Sequence, residues 1–265
     1  MRTATAPAAS LALLLVSGAS QAALKSESVS YHVNGQEFTG YLAYDDASTA
    51  KRPGILIVHE WWGHNAFARE QADKLAQEGY TAFALDMYGS GKLADHPDEA
   101  RAFMQEATAD GDQLRQRFVT AMEWLQRHPT VDSERIAAQG YCFGGAVVLN
   151  MARQGIDLDG VVSIHGSLAS PIQAEPGKVK ARVQVYTGGA DQMVPPDQVA
   201  GLVKEMQTAG VDLSLTSFPG VTHSFSNPRA DAMADQFDLP IGYDRAAAER
   251  TWRGTLAFYR ELFDQ

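Results

Sequence analysis

Three features of the 265-residue chain predict an α/β domain: a mostly parallel twisted sheet, helices on both of its faces and an antiparallel hairpin at the N-terminal edge. The first is Ile55-Leu56-Ile57-Val58, an uninterrupted apolar run of the kind a strand shows when helices cover both sides of it. The second is the alternation, from there to the C-terminus, of short apolar runs with longer segments of helical period, which implies right-handed crossovers within one sheet. The third is that no repeat or low-complexity linker interrupts residues 25–265, so one domain accounts for them.

The hairpin rests on Val29, Tyr31 and Val33 alternating with polar neighbours, an Asn34-Gly35 turn that tolerates positive φ, and a second strand pattern from Phe38 to Leu42. After the apolar run, Asn65 is placed to cap a helix reaching about Glu78, with Gly79 as its stop. Thr81 to Leu85 is then a buried strand. A long helical region from about Pro97 to Arg127 carries its core stripe at Phe118, Met122 and Leu125, and Gly111 with its acidic neighbours is where it would break. Strands follow at Arg135–Tyr141, Val161–His165, Val183–Thr187 and Leu213–Phe218. Helices follow at Phe143–Arg153, around Val199–Met206 and around Trp252–Phe263. In sheets of this kind ligands bind at the carboxyl ends of the strands, so the loops there should carry the function.

Composition narrows the function classes. Hydrophobic residues at 45% and charged residues at 20% suffice for one large core and exclude a disordered or collagen-like chain. A net charge of -10, with no basic patch, argues against nucleic acid and anionic lipid as partners. The single cysteine, Cys142, excludes an intramolecular disulfide and a thiolate-rich metal site. Arg2, the short apolar run from Leu11 to Val16 and the small residues of Ser20-Gln21-Ala22 form the pattern of a secretory signal over residues 1–22. That run is too short for the roughly 20 residues a membrane span needs. The expectation is a single domain over residues 23–265, periplasmic or secreted, with no lasting membrane insertion.

The chemistry concentrates at Gly140-Tyr141-Cys142-Phe143-Gly144-Gly145, where a predicted strand turns sharply into a predicted helix. This is the nucleophile-elbow pattern with cysteine in the nucleophile's position. Glycines two residues to each side remove the clashes such a turn would create, and the following helix N-terminus favours the thiolate. The bland reading is a buried structural cysteine among packing glycines. A base and an orienting acid in the chain order nucleophile, acid, histidine are Asp191, after the Val183–Thr187 strand, and His223, after the Leu213–Phe218 strand. Taken singly, each reads equally well as a turn cap or a surface loop residue. His59-Glu60-Trp61-Trp62-Gly63-His64 invites a zinc reading, but its histidines are five apart rather than four and sit over a strand end and a glycine loop. The segment fits better as the loop that lends a backbone N–H to an oxyanion hole, with Trp61 and Phe143 as the two donors.

These residues resemble the dienelactone hydrolase (carboxymethylenebutenolidase) family of α/β-hydrolases. Gly-Tyr-Cys-Phe-Gly-Gly at 140–145, Gly-Gly-Ala-Asp-Gln-Met-Val-Pro at 188–195 and His-Ser-Phe at 223–225 are similar to its nucleophile, acid and histidine motifs. Glu60 matches its glutamate after the first parallel strand. The resemblance implies an α/β-hydrolase fold and a Cys142, Asp191, His223 triad that hydrolyses lactones or esters through an acyl-enzyme, with no metal or organic cofactor. It also implies that Glu60 contacts the resting thiol and gates it. Where the family has an arginine four residues after the histidine, this chain has Asn227, with Arg229 two residues further on. The family's other carboxylate-binding arginine falls near Ser90, with Lys92 the nearest cation. Lys92 and Arg229 are thus the candidate substrate-binding cations, with Trp62 and His165 as candidate pocket residues. The partner expected is a small-molecule ester or lactone, acted on by a monomer. Thioesters or activated amides would serve the same machinery. The competing reading is a catalytically silent, ligand-binding or thiol-redox-sensing protein on the same fold.

Overall fold

The computed structural model describes Met1 and residues 24–263. Residues 2–22 of the expected signal, and the expected mature start at Ala23, lie outside the described residues. The hairpin forms as read: β1 (Leu24–Val33) and β2 (Gln36–Asp45) pair antiparallel around Asn34 and Gly35, which have φ of 51° and 80°. Next come β3 (Arg52–Val58), α1 (Ala66–Gln77) and β4 (Thr81–Leu85). The Asn65 side chain caps α1 by accepting from the Phe67 N–H. The long helical region is two helices, α2 (Pro97–Thr108) and α3 (Gly111–Gln126), because Asp110 caps the second by accepting from the N–H groups of Asp112 and Gln113. Then follow β5 (Val131–Tyr141), α4 (Phe143–Arg153), β6 (Gly160–Ile164), β7 (Arg182–Gly188), α5 (Pro196–Ala209) and β8 (Leu213–Phe218). The described chain closes with α6 (Ala230–Phe237) and α7 (Arg245–Phe263).

The eight strands form one sheet in the order β1-β2-β4-β3-β5-β6-β7-β8, parallel from β4 onward and antiparallel where β2 meets β1 and β4. Its two faces explain the unbroken apolar run of β3. Leu56 and Val58 belong to a core with Phe118, Leu125, Val148 and Met206 from α3, α4 and α5. Ile55 and Ile57 belong to a second core with Leu75 from α1 and Leu256 and Tyr259 from α7. A period-2 strand covered on both sides has no polar face to show.

Two elements depart from expectation. β5 starts at Val131, four residues early: Arg52 pairs with Val131 and Pro53 with Asp132, and the register then jumps so that Gly54 meets Ile136. The intervening Ser133, Glu134 and Arg135 bulge outward and read as loop. Helix α6 was not anticipated: Ala230, Met233, Ala234 and Phe237 recur at helical spacing, but over only eight residues and with Ala230 alone fully buried; Phe237 packs on Trp62 with ring centroids 6.0 Å apart. No described helix is long and apolar enough to cross a membrane.

Candidate active site

Cys142 sits alone between β5 and α4 with φ 53° and ψ -114°, a positive-φ conformation that costs a non-glycine residue of order 1–3 kcal/mol. The residues two positions to each side of it have no room for a side chain. A Cβ on Gly140 would lie 2.1 Å from the Gly144 carbonyl oxygen, and one on Gly144 would lie 2.2 Å from the Val58 carbonyl oxygen. The turn is held from below, where the Cys142 N–H is shared between the Ile164 carbonyl (3.0 Å) and Nδ1 of His165 (3.1 Å). Cys142 itself is half-buried, so the thiol is reachable.

The loops after β7 and β8 bring the other two candidates together. Nδ1 of His223 lies 2.7 Å from Oδ2 of Asp191, both groups buried. Oδ1 of Asp191 accepts from the backbone N–H of Met193 (2.8 Å) and of Val194 (3.2 Å), which fixes the carboxylate so that its other oxygen faces the ring. Nε2 of His223 is buried with no hydrogen-bond partner among the described residues. Burial works against the His223 cation, but interaction with Cys142 and with Asp191 outweighs it and pushes the pKa up to about 10.

Glu60 follows β3 and is buried. Its Oε2 accepts from the Asn227 amide at 2.7 Å and its Oε1 from the Ser224 hydroxyl at 3.4 Å. Burial raises its pKa to about 7, while those two donors and the His223 and Arg229 charges pull the other way. No hydrogen bond joins Glu60 to the thiol among the described residues; its carboxylate oxygens face the amide and the hydroxyl instead.

The backbone N–H groups of Trp61 and Phe143 donate to no described residue, as an oxyanion hole requires. The Trp61 segment is pinned by Tyr88, whose hydroxyl donates to the Trp61 carbonyl at 3.1 Å. His59 is buried; Nδ1 faces the Glu60 carbonyl at 2.5 Å and Nε2 accepts from the Met87 N–H at 3.1 Å, tying the ends of β3 and β4 together. Tyr88, Ser224 and the structural use of His59 escaped sequence reading, because Trp61, Glu60 and Met87, which they meet, lie in loops distant from them in sequence.

The four candidate substrate-binding side chains are otherwise engaged. Lys92 Nζ is 2.6 Å and 2.7 Å from the two Glu106 carboxylate oxygens, and Arg229 forms a two-pronged pair with Glu70 at 2.5 Å and 3.0 Å. Trp62 is buried under Phe237. His165 is fully buried beneath the elbow and lines no substrate space; its Nδ1 accepts from Cys142 and its Nε2 lies 2.8 Å from the Ser226 hydroxyl. Burial and the neighbouring His223 hold its pKa well below the ordinary histidine value, so it is a neutral strut.

Comparison with known proteins agrees with this geometry. The family model described as dienelactone hydrolase matches residues 38–263. Protein usf of Aquifex pyrophilus is 30% identical over 240 residues, spanning 88% of this chain and 97% of that one. Among solved structures, a dienelactone hydrolase-like promiscuous phosphotriesterase from metagenomic libraries superposes with a TM-score of 0.85 at 29% identity, covering 91% of this chain and 99% of the other. A protein named m3DLH matches with the same TM-score and coverage at 31% identity. The elbow, the strand order and the matched span converge, and the chain belongs to the dienelactone hydrolase family of hydrolases, on the α/β-hydrolase fold.

Proposed function

We propose that this protein is a cysteine-dependent hydrolase of lactones and carboxylic esters, working through Cys142, His223 and Asp191 and a thioacyl-enzyme. The observation that carries the reading is the 2.7 Å Asp191–His223 pair, whose remaining ring nitrogen is buried and unpartnered beside the chain's only thiol, itself raised on a strained elbow. In the first half-reaction the Cys142 thiolate attacks the carbonyl carbon, and the oxyanion is received by the N–H groups of Trp61 and Phe143. As the carbon–oxygen bond breaks, His223 delivers its proton to the leaving alkoxide or enolate. In the second half-reaction Nε2 of His223 takes a proton from water, the hydroxide attacks the thioester, and the carbon–sulfur bond breaks to release the acid and restore the thiolate. Asp191 keeps the ring in the productive tautomer and stabilises the imidazolium.

Glu60, with a pKa near neutrality, is the group that decides when the thiolate is available: turning from Asn227 and Ser224 toward the sulfur, it takes the thiol proton. Because Lys92 and Arg229 each already have a carboxylate partner, the reading favours uncharged esters and lactones over substrates that carry their own carboxylate. The phosphotriesterase relative makes phosphotriesters a second electrophile worth assaying. The pattern of residues 1–22 supports export of a soluble mature chain, and we take it to act as a monomer; N-terminal sequencing of the exported protein and light scattering test these two points.

The test of the activity is steady-state hydrolysis of p-nitrophenyl acetate and dienelactone by the chain from residue 23. Turnover of the neutral ester with poor use of dienelactone is expected. No turnover of either, with protein folded and thiol reduced, would remove the proposal.

A further inference from the structure

A cavity of about 160 Å³ lies on the α1/α7 side of the sheet, and neither Cys142 nor Glu60, Asp191 or His223 lines it. Its wall is unusually rich in free donors. Thr251 and Thr255, one turn apart on α7, are 2% and 1% exposed; the Thr251 hydroxyl has no hydrogen-bond partner among the described residues, and that of Thr255 has only the Tyr186 phenol beside it. Across from them on α1, Gln71 accepts from the Tyr141 hydroxyl through Oε1, which leaves its amide N–H₂ with no acceptor among the described residues. Lys74 stands over the Trp252 ring, 5.9 Å from its centroid, and forms no ion pair among the described residues. The acid on this rim, Glu249, is engaged by Arg245 at 2.8 Å, and nearby Glu70 is engaged by Arg229. Buried donors without acceptors are costly, and a ligand that supplies acceptors relieves them. The flat face of Trp252 and the side chain of Ile164 ask for an apolar body. A dry engineered cavity of ~150 Å³ holds one benzene ring, which sets the size.

We propose that this cavity binds a small monocarboxylate with a flat apolar body of about one ring, its carboxylate received by Lys74 and the threonine and glutamine donors. The site is wired to the nucleophile turn. Ser226, on the cavity wall, accepts from Nε2 of neutral His165, whose Nδ1 in turn accepts the Cys142 N–H. An occupant that draws on the Ser226 hydroxyl therefore acts on the backbone of the nucleophile through two hydrogen bonds.

Isothermal titration with benzoate tests this, using the full mature chain with Cys142 first alkylated so that the catalytic site is closed. One saturable site is expected. Affinity should fall about tenfold or more in Lys74→Met and in Ala248→Phe, which fills the space, and benzyl alcohol should bind at least about tenfold more weakly than benzoate, a difference of about 1.4 kcal/mol. Absence of saturable binding, binding that alkylation abolishes, affinity unchanged in both variants, or benzyl alcohol binding as tightly as benzoate would each overturn the proposal.

Discussion

The side-chain amide of Asn227 donates a 2.7 Å hydrogen bond to Oε2 of Glu60, so a neutral group rather than a cation holds the buried acid of this site. An uncharged donor only partly offsets the cost of desolvating a carboxylate, which is why burial leaves the Glu60 pKa at about 7. That has a consequence for stability. Between the unfolded-chain value of about 4.3 and the folded value, the folded protein keeps a proton that the unfolded chain has lost. The contribution of Glu60 is therefore fully present below about pH 4.3, and it drains away as pH rises through about 7. Glu60→Gln, nearly isosteric, removes this loss. In denaturant unfolding, the stability of the variant relative to the parent should improve by about 3 kcal/mol between acidic and mildly alkaline pH. Parallel stability curves across that range would mean Glu60 is ionised throughout.

Asn227→Asp tests the same acid from its partner. A second carboxylate in place of the amide disfavours ionisation of Glu60, so the Glu60-dependent limb in the pH profile of Cys142 alkylation by iodoacetamide should move upward by about a unit or more. A profile that stays where it was would take Glu60 out of the control of the thiol.

The elbow predicts a sharp contrast between two glycine-to-alanine changes. In Gly144→Ala the new Cβ meets the Val58 backbone oxygen at 2.2 Å, and backbone in the sheet centre cannot give way, so thermal unfolding should fall steeply or the protein fail to accumulate. Gly201, inside α5, has open space around its Cα and no positive φ. Gly201→Ala should stabilise by about 0.5–1 kcal/mol.

Lys92→Ala and Arg229→Ala each break an exposed ion pair and leave the catalytic groups in place. Each should cost less than about 1 kcal/mol of stability and leave kcat/KM on an uncharged ester within a few-fold of the parent. A selective loss on a carboxylate-bearing ester in either variant would show that the cation leaves its partner to meet substrate.

Much of this was legible because the chain punctuates itself. β4, α4 and β8 have the bounds expected of them, each set off by a sharp feature: Gly79 before β4, the Cys142 turn before α4, and Pro219 after β8. The order Cys142, Asp191, His223 was legible because each follows a strand, and a parallel sheet delivers such ends to one rim. What stayed hidden depends on residues far apart in sequence. Glu60 and Asn227 are 167 positions apart, and Arg229 and Glu70 159 apart, so nothing local announces that these charges are engaged. The start of β5 was masked by its polar bulge, and α6 by its length, because eight residues leave its apolar period only two turns to show.

The central claim, that Cys142 is an acylated nucleophile served by His223, is tested most directly by acid-quenching p-nitrophenyl acetate turnover and mapping the acetyl group by peptide mass spectrometry. The account predicts acetyl on the Cys142 peptide during turnover and none in Cys142→Ala. His223→Ala should lower kcat by roughly 10³-fold or more, and Asp191→Asn by a comparable factor. Undiminished turnover in Cys142→Ala, or acetyl found on another residue in the productive step, would contradict it.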